Sequence, residues 1–278
     1  MFHTNNDTLT KQISSRLLIV TCCGVRMKAE RKIDSFTHKK MISNNKVSSA
    51  TGYGFSSGSV DSTPYSQLVS EMKETFETGV SRDVQWRLDQ IDRFISMFEN
   101  HREEWAEVQQ KDLAQTEPLK TTEVLMSLSS AKYLRSNLTR LMASESIPIT
   151  AAANLPSEGY IEKEPVGVVL IISPWNYPIS LLALPLVGAL AAGNLVIVKP
   201  SEVSENVSAL FSKLIEKYFD PKYVRCIEGD ATVTTNLLKE PYDHIFYTGS
   251  VRVGKVVMKA AAEHLTPVTL GKCDCETF

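Results

Sequence analysis

The chain has 278 residues and a formal net charge of -2, with 43% hydrophobic and 22% charged residues, which is ordinary for a globular protein. Such a balance creates no global positive field, so we expect no nucleic-acid partner. Five cysteines without a clear secretory signal favour reduced thiols over a disulfide framework. Polar residues and prolines interrupt the most apolar stretch, 170–198, so we expect no membrane segment and a cytoplasmic location.

Residues 1–64 differ from the rest of the chain because they are rich in Ser, Thr, Asn and Lys and poor in acids. The stretch 48–59 is rich in Gly and Ser, as flexible linkers are. This composition buries too little apolar area to offset chain entropy, so we predict a disordered tail and linker. A basic, Ser-rich, acid-poor N-terminus also resembles a transit peptide, and that alternative remains open.

Helical periodicity begins near Ser66. Apolar residues three or four apart, from Leu88 to Val108, predict an amphipathic helix with one face towards the core. A second helical stretch is predicted to start at Pro118 and to reach Leu141.

The segment 145–165 changes character. Ile147–Thr150 and Tyr160–Lys163 resemble two short strands around a polar turn at 154–159. Neither strand has an obvious core of its own, so we predict a protruding two-stranded arm that needs a partner surface.

From Val166 onwards, apolar strands alternate with helices, which predicts a parallel α/β sheet with flanking helices. Gly193 is expected to end the first helix, and Ser204 and Ser250 are expected to cap later ones. The predicted strands begin at Val166, Leu195, Tyr223, His244 and Pro267. Open sheets of this kind bind ligands at the carboxyl ends of their strands.

The first strand-end loop is Ser173-Pro-Trp-Asn-Tyr-Pro178. Its prolines stiffen the backbone around Asn176, whose amide is then a suitable donor to a developing oxyanion. The alternative is that Asn176 only satisfies the backbone of its own turn.

The second loop, Lys199-Pro-Ser-Glu202, places a base and an acid three residues apart between a strand and a helix. Such a pair suits the hydroxyls of a ribose, for which an acid is the usual acceptor. A surface ion pair of little energetic value is the alternative.

The third loop, Tyr247-Thr-Gly-Ser-Val-Arg-Val-Gly-Lys255, has a glycine at the turn and a serine at the helix start. Free amides and the dipole at that helix start suit a phosphate. The loop matches neither GxGxxG nor a P-loop, and a plain strand–helix turn is the alternative.

In this order, the loops resemble the successive cofactor-domain motifs of the aldehyde dehydrogenase family. The matching segments are Pro174-Trp-Asn-Tyr-Pro178, Ala192-Gly-Asn194, Val198-Lys-Pro-Ser-Glu202 and Phe246-Tyr-Thr-Gly-Ser250. Three further stretches resemble the class 3 branch in particular: 187–193, 240–246 and 264–270. The similarity runs from about Tyr65 to Leu270.

The resemblance implies a Rossmann-like domain over 65–278 that binds NAD or NADP, with 145–165 as the oligomerisation arm of a homodimer. It implies oxidation of an aldehyde substrate to a carboxylic acid, and it assigns no metal. By residue, Asn176 matches the oxyanion donor, and the cofactor-binding positions are Trp175, Lys199, Glu202, Gly249, Ser250, Val253 and Gly254.

The sequence departs from the family near its end. The family's next motif, Leu-Glu-Leu-Gly-Gly-Lys, carries the general base, whereas this chain reads Thr269-Leu-Gly-Lys-Cys-Asp-Cys275. The family's nucleophilic cysteine lies further along, and neither Cys273 nor Cys275 matches it. With base and nucleophile missing, we expect the catalytic domain to be absent and the chain, as written, to be truncated and inactive.

The sequence therefore leaves functions of different classes open. One is an aldehyde dehydrogenase by descent, and another is a non-catalytic fragment that binds a dinucleotide or dimerises. An unrelated α/β protein would need four coincident motifs in order. The choice between NAD and NADP is also open, because Glu202 favours a free 2′-hydroxyl but tolerates a phosphate if its carboxylate swings away.

Overall fold

A computed structural model of the protein describes residues 23–30, 63–114, 119–149 and 158–272. Several sequence-based predictions fall outside this part of the chain: the tail at 1–22 and 31–62 with its linker at 48–59, the helix start at Pro118, most of the polar turn at 154–159, and the assignments of Cys273 and Cys275. Among the described residues, no helix has both the length and the apolar character needed to cross a membrane.

Long helices precede the main sheet, as predicted. They are α1 (Ser66–Glu77), α2 (Val84–Glu99), α3 (Arg102–Leu113) and α4 (Leu119–Met142), with a 3-10 turn at Val80–Arg82. The single helix predicted from Leu88 to Val108 is wrong, because Asn100 and His101 divide it into α2 and α3. His101 leaves helical geometry at φ -128°, yet the apolar spacing continues across this break.

An aromatic cluster joins the helical layer to the sheet domain. The rings of Phe98 and Trp105 stack with their centroids 4.9 Å apart. The ring centroids of Trp105 and Phe211 are 4.6 Å apart. All three side chains are fully buried. Aromatic pairs of this kind contribute about 0.5–1.5 kcal/mol beyond the area that they bury.

The main sheet consists of five parallel strands: β4 (Val168–Ile172), β5 (Leu195–Lys199), β6 (Val224–Cys226), β7 (His244–Gly249) and β8 (Val268–Lys272). Their order across the sheet is β6-β5-β4-β7-β8. Between them run helices α5 (Ser180–Ala192), α6 (Glu205–Tyr218), α7 (Ala231–Leu237) and α8 (Val251–Ala262). Every residue of β4 and β5 is buried, so the α/β prediction is confirmed.

Gly193 ends α5 as predicted. Its φ of 89° is left-handed, a conformation that glycine adopts without a steric penalty. A Cβ at this position would lie 2.6 Å from the carbonyl oxygen of Ser81 and 2.7 Å from the guanidinium of Arg87. The helix end is therefore packed directly against the start of the helical layer.

The arm is an antiparallel sheet of three strands rather than the predicted two. Strand β2 (Glu145–Ile147) pairs with β3 (Glu158–Pro165), and β1 (Cys23–Glu30) pairs with the other edge of β3 along its whole length. Strand β1 comes from the tail that was predicted to be disordered. Composition predicts disorder there because it takes no account of the edge of β3, which offers backbone hydrogen-bond partners to an extended segment.

Candidate functional site

The carboxyl ends of three neighbouring strands lie level with one another. Ile172 of β4 is opposite both Lys199 of β5 and Tyr247 of β7. After β4 the chain passes to β5 and β6 on one side and then returns to β7 on the other side. Such a reversal is the topological switch point at which open α/β sheets bind ligands. All three predicted loops leave the sheet at this edge.

The first loop holds Asn176 between two aromatic residues. The amide of Ser173 donates to the carbonyl oxygen of Lys199 at 3.2 Å, which ties the start of the loop to β5. Asn176 is partly buried, whereas 48% of Trp175 and 52% of Tyr177 are exposed. The loop thus presents an amide and aromatic surface at the strand end.

A buried carboxylate from the helical layer holds the helix that follows this loop. Glu123 of α4 is 3% exposed. Its Oε2 accepts from the amide of Ile179 at 3.1 Å and from Ser180 at 2.7 Å (amide) and 2.9 Å (hydroxyl). Its Oε1 accepts from Gln109 Nε2. Burial raises the pKa of the Glu123 carboxyl, and the donors at Ser180 and Ile179 oppose that change.

The second loop contains a buried lysine. Lys199 is 1% exposed, and its Nζ donates to Pro200 O at 2.6 Å and to Glu202 Oε2 at 3.2 Å. The carboxylate of Glu202 is 49% exposed. Only Glu202 is exposed and Lys199 is buried, so the contact is not a simple surface ion pair. The buried lysine holds the accessible carboxylate at the strand end.

Another carboxylate of the helical layer caps α6, the helix after this loop. Asp112 Oδ1 accepts from Asn206 at 3.2 Å (amide) and 2.6 Å (Nδ2), and its Oδ2 accepts from the amide of Val207 at 2.8 Å. Ser204 occupies the N-cap position but makes no side-chain cap, so that prediction is wrong. Its hydroxyl donates to Ser201 O instead.

The third loop is a tight turn into α8. Ser250 Oγ accepts from the amide of Val253 at 3.3 Å, which confirms the predicted cap. A Cβ at Gly249 would lie 2.3 Å from the hydroxyl of Tyr247, and one at Gly254 would lie 3.5 Å from the same ring. That hydroxyl donates to Ser250 O at 3.2 Å. Gly249 therefore allows the Tyr247 hydroxyl to pack against the turn, whereas a side chain at Gly254 would make only an ordinary contact with that ring.

A cleft of about 150 Å³ opens beside the third loop. Its lining combines the turn with apolar and basic side chains, among them Lys255, Met258, Leu270 and Lys272. Cations near a helix N-terminus make this cleft suitable for an anion.

Cys226 lacks the setting of a reactive cysteine. Burial raises the pKa of the Cys226 thiol to about 12, with Glu228 adding to the effect, so its thiolate is scarce at neutral pH. Within the same part of the chain, no group of three His, Cys, Asp or Glu side chains is placed to hold a metal ion.

The fold is that of a doubly wound α/β protein, with a candidate ligand site at its switch point. A sequence profile of the aldehyde dehydrogenase family matches residues 45–272, and the chain belongs to that family.

Similar proteins confirm the class 3 resemblance. Aldehyde dehydrogenase family 3 member H1 of Arabidopsis thaliana is 43% identical over 206 residues, 74% of this chain and 42% of that protein. The dimeric NADP-preferring aldehyde dehydrogenase of Canis lupus familiaris is 42% identical over 214 residues, 76% of this chain and 47% of that protein. The chain thus spans less than half the length of these relatives.

Solved structures give the same fold. The substrate-bound state of Staphylococcus aureus AldH has a TM-score of 0.70 and 36% identity, covering 73% of this chain and 44% of that one. A betaine aldehyde dehydrogenase of Staphylococcus aureus in complex with NAD+ has a TM-score of 0.65 and 26% identity, covering 73% and 41%.

Proposed function

We propose that the chain is the cofactor-binding part of a class 3 aldehyde dehydrogenase, which oxidises aldehydes to carboxylic acids with NAD or NADP. The observation that carries this proposal is the level register of β4, β5 and β7, because it brings all three loops to the switch point. Relatives named as NADP-preferring or solved with NAD+ support the choice of cofactor.

The residues at this edge fit a dinucleotide. Glu202 offers an accessible carboxylate to the hydroxyls of a ribose, held there by the buried Lys199. Gly249 places no side chain of its own at the turn, which suits the approach of a pyrophosphate to the start of α8. Lys255 beside the turn adds a positive charge.

We assign the other site residues by position. Asn176 donates its amide to the aldehyde oxygen as negative charge develops there. Trp175 supplies aromatic surface on the same loop, and Val253 and Gly254 pack the helix turn beside the pyrophosphate. The bound cofactor supplies hydride acceptance from the aldehyde carbon. Among the described residues we assign neither the nucleophile nor the general base.

A homodimer formed through 145–165 belongs to the same proposal. The arm presents β2 as an edge strand, and a strand edge is a template for pairing with another chain. A cytoplasmic location is also proposed, supported by five cysteines with no disulfide framework in their spacing.

Cofactor titration tests the binding part. We expect NAD+ to bind, and Glu202→Gln to raise its Kd about tenfold because a charge-assisted hydrogen bond is lost. NADP+ binding should change less, because the variant also removes a negative charge facing the 2′-phosphate. Glu216→Gln, an exposed acid near the far end of α6, is the matched control. Equal effects of the two substitutions would refute the ribose assignment.

Turnover separates the two functional readings. Absorbance of the reduced cofactor is followed with NAD+ or NADP+ and a panel of aliphatic and aromatic aldehydes. Cofactor binding without turnover would favour the non-catalytic alternative, a dinucleotide-binding or dimerising fragment. Turnover above background would place the nucleophile within this chain, and Cys273 and Cys275 would be the first residues to replace.

A further inference from the structure

Helices α5 and α6, which follow the first and second loops of the candidate site, begin without a side-chain cap from their own N-cap residues. Ile179 at the N-cap of α5 has no acceptor side chain, and Ser204 at the N-cap of α6 turns its hydroxyl towards Ser201. The first amides of a helix have no partner within it and need acceptors from elsewhere. Both helices obtain them from carboxylates of the helical layer, Glu123 and Asp112.

We propose that Glu123 and Asp112 are positioning residues, with Glu123 fixing the loop that carries Asn176 and Asp112 fixing the loop that carries Lys199 and Glu202. The roles of these loops rest on the proposed function, whereas the anchoring itself rests on contacts in the structure. Neither carboxylate is placed to touch substrate or cofactor, because each one binds the helix behind its loop.

The Glu123 anchor is buried and fully engaged. One oxygen receives the amides of Ile179 and Ser180 and the Ser180 hydroxyl, all at 2.7–3.1 Å, and the other receives Gln109. Only two residues separate Asn176 from Ile179. A shift at the start of α5 is therefore transmitted directly to the amide of Asn176.

The Asp112 anchor binds the start of α6, but it is only partly buried. Its two oxygens hold the amides of Asn206 and Val207 and the side-chain amide of Asn206. Glu202 precedes Asn206 by four residues. The pairing of one carboxylate with each loop predicts separable effects, because the anchors lie on different helices, α4 and α3.

Hydrogen exchange read by mass spectrometry tests the anchoring without depending on activity. In Glu123→Gln we expect exchange in 173–183 to quicken about tenfold, because the neutral amide is a weaker acceptor, while 199–209 stays unchanged. Asp112→Asn should show the reverse pattern. Ser180→Ala, which removes one donor but no charge, should give a smaller increase confined to 173–183.

Glu104→Gln is the matched control, since Glu104 also joins α3 to α6, through Lys213 at 3.0 Å, but away from the helix start. It should leave both segments unchanged. Unchanged exchange in the two anchor variants would overturn the proposal, and so would a uniform increase over the whole chain, which is the sign of a merely structural role.

Cofactor titration of the same variants links anchoring to the site. Asp112→Asn should raise the Kd for NAD+ about threefold to tenfold, whereas Glu123→Gln should raise it less, because Trp175 is the one cofactor-binding position that we assign to the loop behind which Glu123 lies. The reverse assignment of these two effects would overturn the proposal. An unaltered chain that binds neither cofactor would refute the proposed function, and the local exchange pattern would still establish the anchors.

Discussion

Gly193 and Gly79 have the same left-handed backbone, with φ of 89° and 76°, but different surroundings. A Cβ at Gly193 would meet the backbone oxygen of Ser81 at 2.6 Å, whereas one at Gly79 would find only the end of Arg82 at 3.9 Å. The pair therefore separates the cost of the backbone conformation from the cost of crowding.

We predict that Gly193→Ala lowers the free energy of unfolding by about 3 kcal/mol and Gly79→Ala by about 1 kcal/mol. Both variants place alanine in a left-handed conformation, but only the first forces backbone atoms apart. Urea unfolding with an unchanged m-value measures both costs. Equal decreases in the free energy of unfolding would show that the backbone at Ser81 moves away from the new side chain without an energetic penalty.

The two serines predicted to be caps show what can be inferred for single residues. Ser250 is followed by a helix whose third amide lies within reach, and the local pattern alone predicts the bond to Val253. Ser204 has the same local pattern, yet Asp112 takes the amides that it would bind. Asp112 lies more than ninety residues earlier in the chain, so no local motif reveals the competition.

At the scale of elements, β7 and β8 are joined by a buried histidine. His244 is 5% exposed, and its Nε2 lies 2.9 Å from Thr269 Oγ1 on the neighbouring strand. Burial lowers the pKa of His244 below its usual value of 6.5. The unfolded chain therefore takes up this proton at a higher pH than the folded protein does.

We predict that His244 does not lower the free energy of unfolding above pH 6.5, and that this free energy falls as the pH drops below 6.5, because the unfolded chain then binds the proton first. One proton contributes at most about 1.4 kcal/mol per pH unit. His244→Asn should flatten the dependence of the unfolding free energy on pH between 7.5 and 5. The exposed His264→Asn is the control, and identical slopes for His244→Asn and the unaltered chain would contradict the prediction.

The elements themselves follow largely from local pattern. Buried apolar runs predict the start of β5 to the residue and the start of β4 to within two residues, because a parallel strand covered on both faces is apolar over most of its length. The break between α2 and α3 escapes the same reasoning. The apolar residues on either side, Phe98 and Trp105, stack on each other, so the periodicity continues through the break.

At the scale of the whole molecule, β1 covers one edge of β3 over eight residues, from Cys23 opposite Pro165 to Glu30 opposite Glu158. Deleting residues 1–30 exposes that edge, whereas deleting 1–22 retains β1. We predict larger, concentration-dependent species for the longer deletion only, because an open strand edge recruits another chain. Light scattering after size exclusion measures the mass, and identical masses for both deletions would contradict the prediction.

The contacts that could not be predicted from the sequence are long-range contacts between elements. The β1–β3 pairing, the Glu123 anchor and the Asp112 anchor each join residues more than fifty positions apart. Such contacts depend on where whole elements dock. The resemblance to a family supplied the loops of the site, but not the supports behind them.

The position of β4 in the sheet also has a consequence for synthesis on the ribosome. One edge of β4 pairs with β5, which follows within a few tens of residues, but the other edge waits for β7. At about 5–20 residues per second, the roughly 70 residues between β4 and β7 take roughly 4–14 seconds to emerge. For that time an apolar strand has an open edge, so the nascent chain is a natural client for a chaperone.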